Sequence, residues 1–183
     1  MGKIYPAITP QLKDWIGRQR VFFVATAPLS AGHHVNCSPK GMDAFRVLDD
    51  ATVCYFDYNG SGAETIAHLR ENRRITFMFC AFDGPPKIFR LYGSGEVLAR
   101  NHADWDSLAA RFALPEEPRS IIRARITRIS DSCGFGVPLM GFKAERDSFE
   151  KWAAGKTEAD NSAYRRAKNA ESIDGLPAWD EPA

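Results

Sequence analysis

The spacing of apolar residues changes period several times along the chain, and each change marks an element. Thr52-Val53-Cys54-Tyr55-Phe56-Asp57-Tyr58 is β-branched and aromatic, the composition of a pleated and mostly buried strand. Asn59-Gly60-Ser61-Gly62 breaks it. Ile66 and Leu69 then give a short helix its buried stripe, and 73–82 returns as a second apolar strand. Upstream, Thr9 is placed to cap a helix with Pro10 at its first position and Leu12, Trp15 and Ile16 on one face. Residues 20–27 predict a strand buried on both sides, 33–38 a short strand ended by Pro39-Lys40-Gly41, and 46–48 a third.

After the Asp83-Gly84-Pro85-Pro86 loop, 87–99 predicts a long strand whose Gly93 and Gly95 mark a bend, a bulge or the close approach of another backbone. Trp105, Leu108, Ala109 and Phe112 recur at helical spacing and predict an amphipathic helix over 101–113 capped by Asn101. Ile122, Ala124 and Ile126 alternate with Arg123, Arg125 and Thr127, a strand with one wet face. The 132–140 loop is too apolar for water and either fills the core or lies over something else. Phe149, Trp152 and Ala153 open a helical tail over 145–183, whose polar stretch 156–172 is expected to pack weakly. Leu176-Pro177-Ala178-Trp179 is placed to anchor that tail.

Many strands, few helices and short turns point to an all-β or α+β barrel. The strands follow one another too closely for the crossover helices of a parallel sheet. With no internal repeat and no linker, the 183 residues read as a single domain, 1–183. A net charge of +1 argues against a nucleic-acid or membrane-surface partner. No apolar run reaches the ~20 residues of a bilayer span, and the N-terminus lacks the apolar core of a signal peptide. Cys37, Cys54, Cys80 and Cys133 are scattered, three of them in or beside apolar strands, and read as reduced core thiols, which together with the N-terminus predicts a cytoplasmic protein.

Candidate chemistry gathers around the turn after Tyr58. Ser61-Gly62-Ala63-Glu64 has the spacing of a capping box. The N-terminus of a helix opened by small residues also favours an anion, so the turn is either a plain cap or an anion site. A dinucleotide-binding reading of Gly60-Ser61-Gly62 fails because Thr65 stands where the third glycine belongs. His33-His34 lacks a clustered third ligand and reads as exposed loop. Lys40 is either a solvated turn lysine or a charge brought to the anion site.

Taken in order, Val35-Asn36-Cys37-Ser38-Pro39-Lys40-Gly41, Phe56-Asp57-Tyr58-Asn59-Gly60-Ser61-Gly62, Leu69-Arg70-Glu71-Asn72 and Ile75-Thr76-Phe77-Met78-Phe79 form a series. It resembles the pyridoxamine 5′-phosphate oxidase-like family of FMN-binding split β-barrels. The resemblance covers about 22–98, and Gly93-Ser94-Gly95-Glu96-Val97 matches the family's next strand. It implies a mainly β (α+β) fold, an antiparallel Greek-key split β-barrel with flanking helices. It also implies a homodimer with one FMN in each of two clefts between subunits. Carried over by position, Asn36, Cys37 and Ser38 would edge the flavin ring or ribityl chain, and Lys40 would approach the phosphate. Asp57 and Tyr58 would run beside the flavin, while Ser61, Gly62 and Thr65 fall in the phosphate turn. Arg90 would face the same cleft from a neighbouring strand, and the apolar 133–140 loop becomes a candidate dimer or flavin lid.

Two departures shape the functional expectation. Many family members place Arg-Lys in the phosphate turn where this chain has Glu64-Thr65, and a carboxylate beside a dianion is repulsive. Either Glu64 folds back into its capping box while Lys40, Arg46 or Arg90 supplies charge, or FMN binds weakly. True pyridoxamine phosphate oxidases end in an Arg-Leu-rich motif that holds pyridoxal phosphate, and 155–183 has no histidine and nothing similar, so vitamin B6 oxidation is not expected. The resemblance implies an FMN-dependent oxidoreductase acting on an unspecified small molecule, with no side chain standing out as a catalytic acid or base. The alternative is a non-catalytic carrier of flavin, deazaflavin or haem, the last drawing on His33, His34, His68 or His102. A barrel that has lost its cofactor is the third reading.

Overall fold

A computed structural model of the chain describes residues 2–112 and 118–180. The elements in chain order are β1 (Ile4–Tyr5), α1 (Pro10–Gly17), β2 (Phe22–Thr26), β3 (Asn36–Lys40), β4 (Phe45–Val47), β5 (Thr52–Asp57) and α2 (Glu64–Asn72). They continue with β6 (Arg74–Cys80), β7 (Ile88–Leu98), α3 (Trp105–Ala109), β8 (Ser120–Ser132), α4 (Ser148–Ala153) and α5 (Glu158–Lys168). Every strand pair is antiparallel, in the order β3-β2-β6-β7-β8-β5-β4, with β1 added on β8. The sheet curls until Phe22 of β2 touches Phe45 of β4, near opposite ends of that order, at 5.0 Å between ring centroids. Tyr55, Phe77 and Phe79 fill the space between them. The result is the mainly β split barrel expected from the sequence. Among the described residues no helix is long and apolar enough to cross a membrane.

Local chemistry explains most element boundaries. Thr9 caps α1 by accepting the Leu12 N–H at 3.2 Å, with Pro10 at the first position. The long β7 carries a bulge between Tyr92 and Gly93, where a Cβ on Gly93 would overlap the Arg125 carbonyl oxygen of β8. At Gly95 a Cβ would press on Leu69 of α2 at 3.0 Å, so the missing side chain lets the helix lie close on the sheet. Both glycines thus mark the close approaches their place in a strand suggested.

Four expectations need correction. β2 alternates between buried and half-buried positions and is not buried on both sides. β3 starts at Asn36 and runs through Pro39 to Lys40, because an edge strand tolerates a residue without an N–H. α3 is only five residues long and is preceded by Asp104, not Asn101. There the His102 ring accepts the Asp104 N–H at 3.1 Å, a local bond that competes with helix. Ala113, its expected end, lies outside the described residues. Finally, the 156–172 stretch is better packed than its polarity suggests: Arg165, Asn169 and Ser172 are buried. Ala178 and Trp179 anchor the tail against Ala63, Ile66 and Ala67 of the α2 region.

Gly93→Ala should destabilise the fold by about 2 kcal/mol or more, because the strand–strand contact has no room for a methyl group. A lower urea midpoint at unchanged slope would show it.

Candidate functional site

Edge strand β3, the end of β5 and the start of α2 enclose a cavity of about 340 Å³. Asn36, Ser38 and Lys40 pair with Thr26, Val24 and Phe22, so all three share the concave face. At the cavity floor Asp57 has no solvent exposure. Lys40 Nζ donates to its Oδ1 at 3.1 Å and Arg119 Nε to its Oδ2 at 2.8 Å. Burial works to raise the Asp57 carboxyl, but the two cations outweigh it and hold it below the ordinary value. Asp57 balances one of the two cations and leaves the other. Arg119 is itself buried, and its Nη1 has no partner among the described residues.

The turn beside this charge group differs from its expected form. α2 begins at Glu64, so Glu64 is the first helical residue and not the third, and Ala63 occupies the cap position with no side-chain cap bond. The Ser61–Glu64 capping box therefore does not form. The Glu64 carboxylate folds onto Gly62, where it would collide with any Cβ, and its Oε1 accepts the Ile173 N–H at 3.4 Å. Without a side-chain cap, the leading N–H groups of α2 remain available to an anion.

A hydrogen-bonded chain runs from the cavity wall into the core. Ser38 Oγ donates to Asn36 Oδ1 at 3.0 Å, and Asn36 Nδ2 donates to Thr65 Oγ1 at 3.0 Å and Thr26 Oγ1 at 3.3 Å. Thr26 Oγ1 in turn lies 2.9 Å from His68 Nδ1. Burial pushes the His68 ring below its ordinary value against the pull of Glu64, Glu71 and Asp174, which favours its neutral form. The network fixes the Asn36 amide at the cavity lining.

Eight of the ten residues the sequence singled out line this one cavity: Asn36, Ser38, Lys40, Asp57, Tyr58, Ser61, Gly62 and Thr65. Cys37 points away, exposed, opposite Ala25 on the other face of β3. Arg90 is not brought to the cavity; its Nη1 donates to Ser132 Oγ at 3.1 Å. Arg46 is taken up by Asp43 and by the Phe112 ring, leaving Lys40 and Arg119 as the cavity's cations. Sequence reasoning missed Arg119, although an aspartate ending an apolar strand signals that a cation must reach it. It also missed Asn169, whose Nδ2 donates to the Gly60 carbonyl at 2.9 Å from 109 residues away. A larger cleft of about 720 Å³ lies between α1 and β4, but its Arg46 is tied to the cleft's own Asp43.

Fold and cavity together define a split β-barrel with a polar, cation-bearing pocket at its open edge. The family model described as pyridoxamine 5′-phosphate oxidase matches residues 8–133, and the chain belongs to that family. It is 36% identical over 196 aligned residues to the pyridoxamine 5′-phosphate oxidase family protein ustO of Aspergillus flavus, covering 97% of this chain and 78% of that protein. Among solved structures, HupZ of Group A Streptococcus superposes with a TM-score of 0.55 at 23% identity, covering 73% of this chain and 99% of that one. An FMN-binding protein from Syntrophomonas wolfei superposes with a TM-score of 0.50 at 15% identity, covering 65% and 80%. At these identities the two structures establish the fold.

Arg119→Ala should cost about 3–5 kcal/mol, because it leaves a buried carboxylate short of a partner. The depressed Asp57 carboxyl means that the fold binds fewer protons than the unfolded chain. Its contribution is complete above about pH 4 and is lost as pH falls through the depressed value. Asp57→Asn should therefore flatten the acid limb of urea midpoints plotted against pH.

Proposed function

We propose that the chain binds FMN as a homodimer and works as an FMN-dependent oxidoreductase on a small molecule in the cytoplasm. The observation that carries this reading is the Arg119 Nη1 that no described residue satisfies, on the same carboxylate as Lys40, together with the uncapped start of α2. A phosphate dianion is the ligand chemistry that such a set accepts. Lys40, Arg119, Ser61, Gly62 and Thr65 would hold the phosphate. Asn36, Ser38, Asp57 and Tyr58 would flank the remainder, with Cys37 on the outer side of the same strand. Family membership and the FMN-binding protein that shares the fold support the choice of cofactor.

When bound, the flavin supplies hydride or electron transfer, and the protein supplies binding, orientation and electrostatics. The Asp57 group holds two cations in place without solvent, and the Asn36 network fixes a neutral polar wall. No residue of the cavity is assigned an acid or base role. Phe135, Leu139 and Met140 stay exposed, which speaks against the core-filling reading of the 133–140 loop and supports its use as a dimer or flavin lid.

The test is the visible spectrum of the purified protein before and after FMN addition and gel filtration, with its size read on the same column. A retained flavin band on a dimer is expected, and Lys40→Ala or Ser61→Ala should weaken retention. Glu64→Gln should tighten FMN binding by about three- to tenfold at low salt, since it removes a negative charge at the turn that no cation among the described residues balances. A protein that fails to hold FMN at saturation overturns the reading, and a Soret band would move it to a haem carrier.

A further inference from the structure

The chain returns to its own phosphate turn after α5. Asn169, immediately beyond the helix, is fully buried, and 169–179 closes into a tight antiparallel hairpin. Its limbs are joined by Ser172 N–H to the Leu176 carbonyl at 2.9 Å, Ala178 N–H to Ala170 at 2.8 Å and Trp179 N–H to Asn169 at 2.8 Å. From this hairpin four contacts reach the turn, the α2 region and the approach to β3. Asn169 Nδ2 holds the Gly60 carbonyl at 2.9 Å, and Ile173 N–H meets the Glu64 carboxylate. Asp174 accepts from the His34 backbone N–H at 2.8 Å and lies 2.7 Å from His34 Nδ1, two residues before Asn36. Ala178 and Trp179 pack on Ala63, Ile66 and Ala67. One hairpin thus grips both the turn and the approach to β3.

We propose that hairpin 169–179 is a strap that pre-organises the phosphate turn, with Asn169 and Asp174 as positioning residues; this rests on the FMN reading of that turn. Gly60-Ser61-Gly62 contains two glycines and is costly to order at the moment of binding. The Asn169 amide orders it beforehand. Because a peptide unit is planar and trans, holding the Gly60 carbonyl toward the strap turns the Ser61 N–H away from it, as a donor the strap cannot consume. The Ile173 N–H holds the Glu64 carboxylate, the one group in the turn that opposes a dianion. Ordering the turn before ligand arrives lowers the cost of binding, and that gain belongs to the phosphate end of the ligand alone.

The experiment compares FMN with riboflavin, which lacks the phosphate, by flavin-fluorescence titration of the full chain and of Asn169→Ala and Asp174→Ala. Amide hydrogen exchange of the ligand-free proteins is followed at 60–64. FMN affinity should fall about tenfold in Asn169→Ala while riboflavin affinity stays within about twofold. Asp174→Ala removes a negative charge, which by electrostatics alone would favour FMN, so a fall in FMN affinity there reports the strap. Exchange at 60–64 should quicken in both variants with the β6–β7 amides unchanged. Equal losses for the two flavins, unchanged FMN affinity, or unchanged exchange at 60–64 would each overturn the strap. If the unmodified protein binds neither flavin, the FMN reading fails and with it the strap's role toward phosphate.

Discussion

A carboxylate shut away from water has to be matched inside the protein, and Asp57 is matched from two places far apart in the chain. Lys40 comes from β3 at one end of the sheet order, and Arg119 comes from the residue just before β8, beside β5. Removing such a charge from water costs several kcal/mol, so leaving either cation out is unfavourable and the three groups hold one another in place. The same bonds span the opening of the barrel. They also concentrate two positive charges at the cavity floor while using only part of their donor capacity. A cation-rich cavity floor follows from solving a burial problem, with no residue added for the purpose.

The architecture was readable because it depends on periodicity. Alternation in 122–127, the β-branched run at 52–57 and the Thr9-Pro10 signal each report a local preference that the packed structure keeps. Asn36, Ser38 and Lys40 fell on one face for the same reason, since strand alternation alone separates them from Cys37. What escaped notice was non-local or depended on a boundary. Ser61 and Glu64 have capping-box spacing, but the helix starts too late for either to fill its role. Arg119 carries no local mark, because its partner lies 62 residues away across a strand pair. Asn169 looks like any polar residue of a solvated tail.

Glu64 gathers these lessons in one side chain. Its sequence position suggested a cap or a source of repulsion, and the fold rules out the cap while leaving a charge that one backbone N–H partly satisfies. Its carboxylate rests on Gly62, a position that any larger residue would deny it, and touches a backbone N–H from the tail. The turn thus carries a negative charge of its own, which the tail tempers.

Pro39 has a further consequence. It stands within an edge strand and offers no N–H to the side facing away from β2, so β3 is a poor template for another strand. A split barrel has two such margins, and one that could recruit a neighbouring chain would close its opening or seed aggregation. The imino ring between Asn36 and Gly41 takes one donor out of the margin of the sheet that borders the pocket.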